Sequence, residues 1–306
     1  MNSYDVVVIG AGAAGLNAAL VLTRARRSVA IVDAGAPRNA AAANLHGFLS
    51  RDGMPPLELL AAGRREVAGY GGTFISSTVT GISPGFVVAL ADGTHLKARR
   101  ILVATGLRDV LPPIPGMQEL WGTDVVVCPY CHGYEVADRP IGVMGPPEKA
   151  LLVRQWSSDV VYFAPTSDFP ELAARDIRIV EGTVARLVIE DSRLRAVEMT
   201  DGRRIAREAL FAMPTFEPRD SFLESLGYAA AETSPFGQTN IPGLWVAGNV
   251  SNPMATLIQA AAEGVAAAAA INSDLVRADT DAAVARGFSH EIERQVSDLR
   301  PKSVLS

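Results

Sequence analysis

The sequence predicts an α/β protein of two Rossmann-like, three-layer units, the second inserted into the first. Three observations predict it: a strand, glycine turn, helix, strand and acid in series before residue 34, a broken version of the same series from Pro140, and two proline-rich crossings. A length of 306 residues is enough for two cores. Hydrophobic residues make up 48% and charged residues 20%, so the chain reads as globular. The formal net charge of −5 leaves no basic footprint for nucleic acid, and no run of Lys or Arg marks a membrane surface. The expected partner is a small molecule or another protein.

Tyr4 to Ile9 is a short β-branched run, the composition of a buried parallel strand, and Gly10-Ala11-Gly12-Ala13-Ala14-Gly15 follows at once. In this GxGxxG, Gly10 allows the tight turn, Gly12 lets the backbone approach a pyrophosphate, and Gly15 lets a helix from Ala13 to about Arg26 pack on the strand. A second strand, Ser28 to Val32, ends at Asp33, where an acid can accept hydrogen bonds from ribose hydroxyls. Glycines interrupt the apolar stretch Val6 to Leu22 and no basic segment precedes it, so neither a membrane span nor an export signal is read there. The expected compartment is a reducing cytoplasm. Taken alone, this unit does not separate FAD from NAD.

The chain has two cysteines, three apart in Cys128-Pro129-Tyr130-Cys131-His132-Gly133-Tyr134-Glu135. A disulfide closing so small a ring removes little entropy from the unfolded chain, so its value would be chemical. The thiolate is the exchanging species, and a thiol at the start of a helix beside an imidazole such as His132 has its charged form favoured. Two incidental buried thiols, or half of a metal site, are the alternatives. With histidines only at 46, 95, 132 and 290, a tetrahedral zinc site is hard to assemble, and no metal is expected.

Arg100 to Gly106 is a strand ending Ala104-Thr105-Gly106, and Ile241 to Asn249 is another, ending Gly248-Asn249 before an alanine-rich helix from about Ala255 to Leu275. With the glycine turn and the CxxC in this order, the chain from Tyr4 to about Asp274 resembles the thioredoxin reductase-like flavoprotein disulfide reductases. The resemblance implies FAD, held by Gly10, Gly12, Ala13, Ala14, Gly15, Asp33, Ala34, Asn44, His46, Ala104, Thr105, Gly106, Gly248, Asn249, Thr256, Leu257 and Ile258. It implies a Cys128–Cys131 disulfide near the flavin, with Cys131 flavin-proximal and Cys128 meeting substrate. It also suggests a homodimer. Asn249 stands where the family usually has Asp, and Thr256-Leu257 where its reductases have Arg-Gln. Arg51, in the same loop as His46, is a further candidate for the active site.

Residues 140–150 depart from the family pattern for NADPH. A strand and Gly142 and Gly145 remain, but Pro146 and Pro147 intrude, and proline lacks the N–H that would hold a phosphate. No Arg or Lys lies between Arg154 and Arg175 to receive a 2′-phosphate. With Cys131-His132-Gly133, these departures resemble the dithiol oxidase branch of the family, the enzymes that form disulfides in gliotoxin-like and holomycin-like products. The expectation is a FAD-dependent oxidase of a small-molecule dithiol, with O2 as acceptor, H2O2 as product and His132 as general base. The alternatives are a disulfide reductase fed by NADPH or another donor and acting on a thioredoxin-like protein, and a non-catalytic flavin redox sensor.

Leu111 to Gly116 reads as the outgoing linker and Met213 to Pro218 as the return. The expected FAD-binding domain is therefore 1–116 with 217–306, and 117–216 is a degenerate NAD(P)H-binding-like domain carrying the CxxC. The last thirty residues, charged with alternating apolar positions, are expected to be a helix or a tail.

Overall fold

The computed structural model describes residues 1–228 and 233–287. The first unit runs β1 (Asn2–Ile9), α1 (Ala13–Arg24), β2 (Val29–Asp33), α2 (Pro56–Gly69), β3 (Thr73–Ser76), β4 (Val79–Ser83), β5 (Val87–Leu90), β6 (His95–Val103) and β7 (Leu107–Val110). The second comprises β8 (Val125–Val126), α3 (Pro129–His132), β9 (Ile141–Val143), α4 (Pro147–Val153), β10 (Val160–Ala164), α5 (Pro170–Ala173) and β11 (Arg178–Glu181). It is completed by β12 (Val184–Glu190), β13 (Arg193–Met199), β14 (Arg204–Ala206) and β15 (Ala209–Phe211). The chain then returns through β16 (Thr215–Pro218) to β17 (Leu244–Val246) and α6 (Leu257–Arg286).

Val6, Val7 and Val8 in β1 are fully buried, as a strand covered on both faces must be. Parallel strands β3, β2, β1 and β6 follow in that order, and β6 pairs on its far side with β17 and with the antiparallel β4–β5 hairpin. Val6, Val8 and Ile31 pack on one face against α1 and α6, while Val7, Ile9 and Ile101 pack on the other against the hairpin and Leu223. These are the three layers. The second unit repeats the plan with parallel strands ordered β11, β10, β9, β15, β8 beside an antiparallel β12–β14 sheet. Between the units, β7 and β16 pair antiparallel, so the outgoing and returning chains form one two-stranded ribbon.

α6 continues eleven residues past Leu275, where the alanine-rich run was expected to end. The extension is polar but not unpartnered. Asp274 pairs with Arg100, and beyond it Asp279 pairs with both Arg99 and Arg27, the last at 2.9 Å, so charges on β6 and on the turn after α1 hold the additional residues. What lies beyond Gly287 falls outside the described residues. No described helix is long and apolar enough to cross a membrane.

Candidate functional site

A cavity of about 1480 Å³ runs from the glycine turn, along the C-terminal ends of the first sheet's parallel strands, to the CxxC and the start of α4. Its first end is built by close backbone approach. Gly10 has φ +102°, and a Cβ there would stand 2.4 Å from the Ala104 carbonyl oxygen. One at Gly15 would stand 1.9 Å from the Gly10 carbonyl oxygen, so both must be glycine for turn, helix and strand to meet. Gly12 is different. A Cβ there would meet nothing within 4 Å, because that position faces the cavity.

The implied FAD can be tested against these residues, and they fit it. The turn leads into a twelve-residue helix with no acidic side chain in its first turn, a suitable place for a pyrophosphate. Thr105 Oγ1 is buried beside the cavity with no partner among the described residues, an orphaned group that a polar ligand would satisfy. Asp33 accepts from the Ala11 N–H at 3.0 Å and pairs with Arg64, so the acid that ends β2 is oriented by the glycine turn itself. Thr256 and Gln259 form a capping box at the start of α6, and the Gly248 N–H donates to Glu263 at 2.8 Å, which fixes the late Gly-Asn turn against that helix. Asn249 uses its amide N–H groups within the loop, donating to the carbonyls of Asn252 and Ala255 at 3.1 and 2.9 Å.

At the other end of the cavity Cys128 and Cys131 are joined as a disulfide, with Cα atoms 5.3 Å apart. Both are half-buried. The helix that presents them, α3, is a single turn, too short for an appreciable dipole at Cys128. Gly133 follows His132 because a Cβ there would stand 2.8 Å from the Trp156 indole; its absence lets the turn lie flat on that ring. Burial lowers the His132 pKa below its ordinary 6.5, an effect opposed by nearby Glu135 and assisted by His46. The imidazole is therefore neutral near pH 7. It can accept a proton, but it supplies no positive charge to the thiols.

His46 reaches this end from the first unit, with Nε2 3.2 Å from Glu135 Oε1 and Nδ1 3.3 Å from Asp52 Oδ2. It thus sits between a carboxylate of its own loop and one that follows the CxxC. Arg38 ties the same region to the crossing ribbon: it bonds Asp109 at 2.7 and 2.8 Å, donates to the Pro253 carbonyl at 3.1 Å and lies over the Phe216 ring at 5.2 Å.

The second crevice opens onto the same cavity and is crossed by one of its own side chains. After β9 the chain passes Gly145 and enters α4 through Pro146 and Pro147. Lys149, in the first turn of α4, folds into the gap. Its Nζ donates to the Val127 carbonyl at 3.0 Å and to the Ala212 carbonyl at 3.4 Å, and lies 3.3 Å from Met213 Sδ. Burial without a compensating carboxylate lowers its pKa from 10.5 to about 8.

The cavity brings together Gly10, Gly12, Ala13, Ala14, Asp33, Ala34, Asn44, His46, the Ala104-Thr105-Gly106 turn, Gly248, Asn249, Thr256 and Leu257 with Cys128, Cys131 and His132. Gly15 lies behind the turn, where it serves packing. Ile258 and Arg51 do not line the cavity; Ile258 is 44% exposed and faces outward from α6. Sequence reasoning passed over Arg38, Arg64, Glu263 and Lys149. For the first three no local signal exists, since each hydrogen-bond partner lies at least eleven residues away. Lys149 did leave one: a cation two residues after Pro147, at the start of the helix that follows the broken glycine turn.

Residues 4–153 match the model of the pyridine nucleotide-disulphide oxidoreductase family. The chain is 50% identical to the protein in the crystal structure of HlmI, with a TM-score of 0.89 over 93% of this chain and 96% of that one. It is 27% identical to the thioredoxin reductase sirT of Leptosphaeria maculans over 90% of this chain and 95% of the relative. With the probable thioredoxin reductase of Arthroderma benhamiae it is 37% identical across 47% of this chain, and that match spans 38% of the relative's length.

Proposed function

This chain belongs to the thioredoxin reductase-like pyridine nucleotide-disulphide oxidoreductases, which are FAD flavoproteins, and from that premise we propose that it is a dithiol oxidase. It would take two electrons and two protons from a small-molecule dithiol and leave a disulfide. The observation that carries the reading is the second crevice. Two prolines stand where amides would hold a pyrophosphate, and the Lys149 side chain lies across the strand ends where a nicotinamide dinucleotide would enter. The 50% identity to HlmI over nearly the whole chain and the Cys131-His132-Gly133 segment support it.

In this reading one thiol of the substrate loses its proton to the neutral His132 imidazole and attacks Cys128 Sγ. The Cys128–Cys131 bond breaks and a substrate–Cys128 mixed disulfide forms. The second thiol of the same substrate then attacks the substrate sulfur of that mixed disulfide, the substrate–Cys128 bond breaks, and the intramolecular disulfide is released with both cysteines reduced. Bound FAD supplies two-electron acceptor chemistry, with O2 as the terminal oxidant and H2O2 as product. The half-buried pair needs a substrate small enough to enter the cavity, which favours a low-molecular-weight dithiol over a folded protein. We further propose a homodimer acting in the cytoplasm.

The test is anaerobic mixing of the purified FAD-bound protein with NADPH and, separately, with dithiothreitol. The expected result is bleaching of the flavin band by the dithiol and not by NADPH, followed by recovery with stoichiometric H2O2 on admitting air. Bleaching by NADPH within seconds would overturn the oxidase reading in favour of a reductase. Cys131→Ser should abolish bleaching by dithiol; retained bleaching would show that electrons bypass the pair.

A further inference from the structure

A thiol that exchanges disulfides near neutral pH needs its thiolate favoured, and positive charge close by is the usual means. Neither of the sources read from the sequence supplies it here. The turn that carries Cys128 is a single turn long, and burial keeps His132 neutral. Among the charged side chains lining the cavity, Arg38 is paired with Asp109, Arg64 with Asp33 and Arg108 with Glu217, while Arg219 is committed to the loop after β2, donating to the Ala36 carbonyl at 3.1 Å. Lys149 forms no ion pair among the described residues, and its described hydrogen-bond partners are uncharged.

Its place in the fold is specific. β9 leads through Pro146 into α4 and onward to β10 on one side, whereas β15 and β8 lie on the other side of β9. The gap between those two directions is the switch-point crevice of a doubly wound sheet, where ligands of such sheets ordinarily sit. Lys149 starts on α4 and ends on the carbonyls that follow β8 and β15, so one ammonium spans the crevice. The carbonyl that it holds most closely, Val127, is bonded directly to the nitrogen of Cys128.

We propose that Lys149 is a positioning residue for disulfide exchange: its ammonium, lodged in the degenerate crevice against the Val127 carbonyl, holds Cys128 as the thiolate whenever the pair is reduced. Ionisation releases one proton and moves no electrons between residues, and the resulting thiolate is the ion that the crevice cation otherwise lacks. The assignment does not depend on the direction of electron flow, because oxidase and reductase alike need the exchanging sulfur ionised. The other titratable or charged groups along this wall are Glu148 on α4 and Tyr130, Cys131 and His132 on α3. Tyr162 on β10 is turned away, its hydroxyl donating to the Gly145 carbonyl at 2.7 Å. Glu148 opposes the proposed effect and Lys149 supplies it. Its lowered pKa of about 8 means that its help fades in alkaline solution.

The experiment uses the full FAD-bound chain carrying Cys131→Ser, in which Cys128 is the remaining cysteine, so alkylation by iodoacetamide reports that sulfur alone. Rates are measured between pH 5.5 and 9 with Lys149 intact, and with Lys149→Met, Lys149→Gln or Lys149→Arg. The expected result is that Lys149→Met slows alkylation about tenfold at pH 6.5 and moves the inflection upward by about one unit, with rates converging above pH 9. Lys149→Arg should recover most of the rate. Lys149→Gln keeps a donor to the carbonyls without charge and should behave like Met; it serves as the reading if the Met variant does not fold. Superimposable profiles for the intact and neutral variants would overturn the proposal. So would an Arg variant as slow as Met, which would assign the lysine to shape and not to charge.

Discussion

The two Rossmann-like units share a plan and differ in what their switch-point crevices hold. In the first, the backbone is stripped back: Gly12 faces open space, Thr105 Oγ1 has no partner among the described residues, and the carboxylate that ends β2, Asp33, is tied down by Ala11 and Arg64. In the second, the amides are replaced by proline nitrogens and the space is taken by an ammonium from the chain itself. One crevice is shaped to receive an anion and the other has its own cation. The same fold can therefore be kept as a binding site or as a support, and a few residues at one turn decide which.

The largest effect should come from damaging the open crevice. Gly10→Ala puts a Cβ 2.4 Å from the Ala104 carbonyl oxygen at a φ of +102°, where neither β1 nor β6 can retreat without breaking their ladder. Strain and displacement together are expected to cost about 3 kcal/mol or more. The variant should purify with little or no flavin absorbance and unfold at lower denaturant concentration. Full flavin content in Gly10→Ala would mean that the turn does not hold the cofactor as described.

Next in size is the proton acceptor between the two crevices. His132→Gln is expected to lower turnover with a small dithiol about a hundredfold, the ordinary contribution of one general base. The pH profile is the sharper measurement. Burial lowers the His132 pKa, so the neutral, proton-accepting form persists below the usual 6.5 and activity should fall only as the pH drops through that lowered value. The acid limb should disappear in the Gln variant. If it persists unchanged, the titrating group is another, and His132 serves only as part of the turn that seats Gly133 against Trp156.

The contrast between the crevices was only half legible in the sequence. The first was readable because it is local: strand, glycines, helix and acid lie within thirty residues, and Gly10 and Gly15 each answer to a backbone contact while Gly12 faces the cavity. The loss in the second was readable for the same reason, since Pro146 and Pro147 interrupt a turn whose amides matter. What replaced the lost ligand was not. Lys149 acquires its meaning from Val127 and Ala212, which come from chain segments twenty-two residues before it and sixty-three after it. The helical start beside Cys128 was read correctly as a position but overvalued as a source of charge, because sequence does not show that α3 stops after one turn. Helix α6 outran its alanine-rich stretch for a related reason: the aspartates that extend it find their arginines on other elements.

The smallest expected effect tests whether the built-in cation is a cost. In the folded chain the Lys149 pKa is about 8, against 10.5 without burial, so the unfolded chain binds that proton more tightly. Stability should then rise as pH climbs from about 8 to 10.5, and below pH 8 the full penalty of the buried charge is present. Lys149→Met removes the penalty. Some solvent screening of the partly exposed ammonium, and the two carbonyls left without their donor, reduce the gain to about 1 kcal/mol at pH 7. Urea denaturation of the oxidised protein should show a higher midpoint for the Met variant at pH 7 and no difference near pH 10.5. A variant that is more stable in this measurement and slower in alkylation would place Lys149 among residues kept for chemistry at the expense of stability. Equal stability at both pH values would mean that the carbonyls of Val127 and Ala212 fully compensate the buried charge, and the second crevice would then be a filled core position and not a strained one.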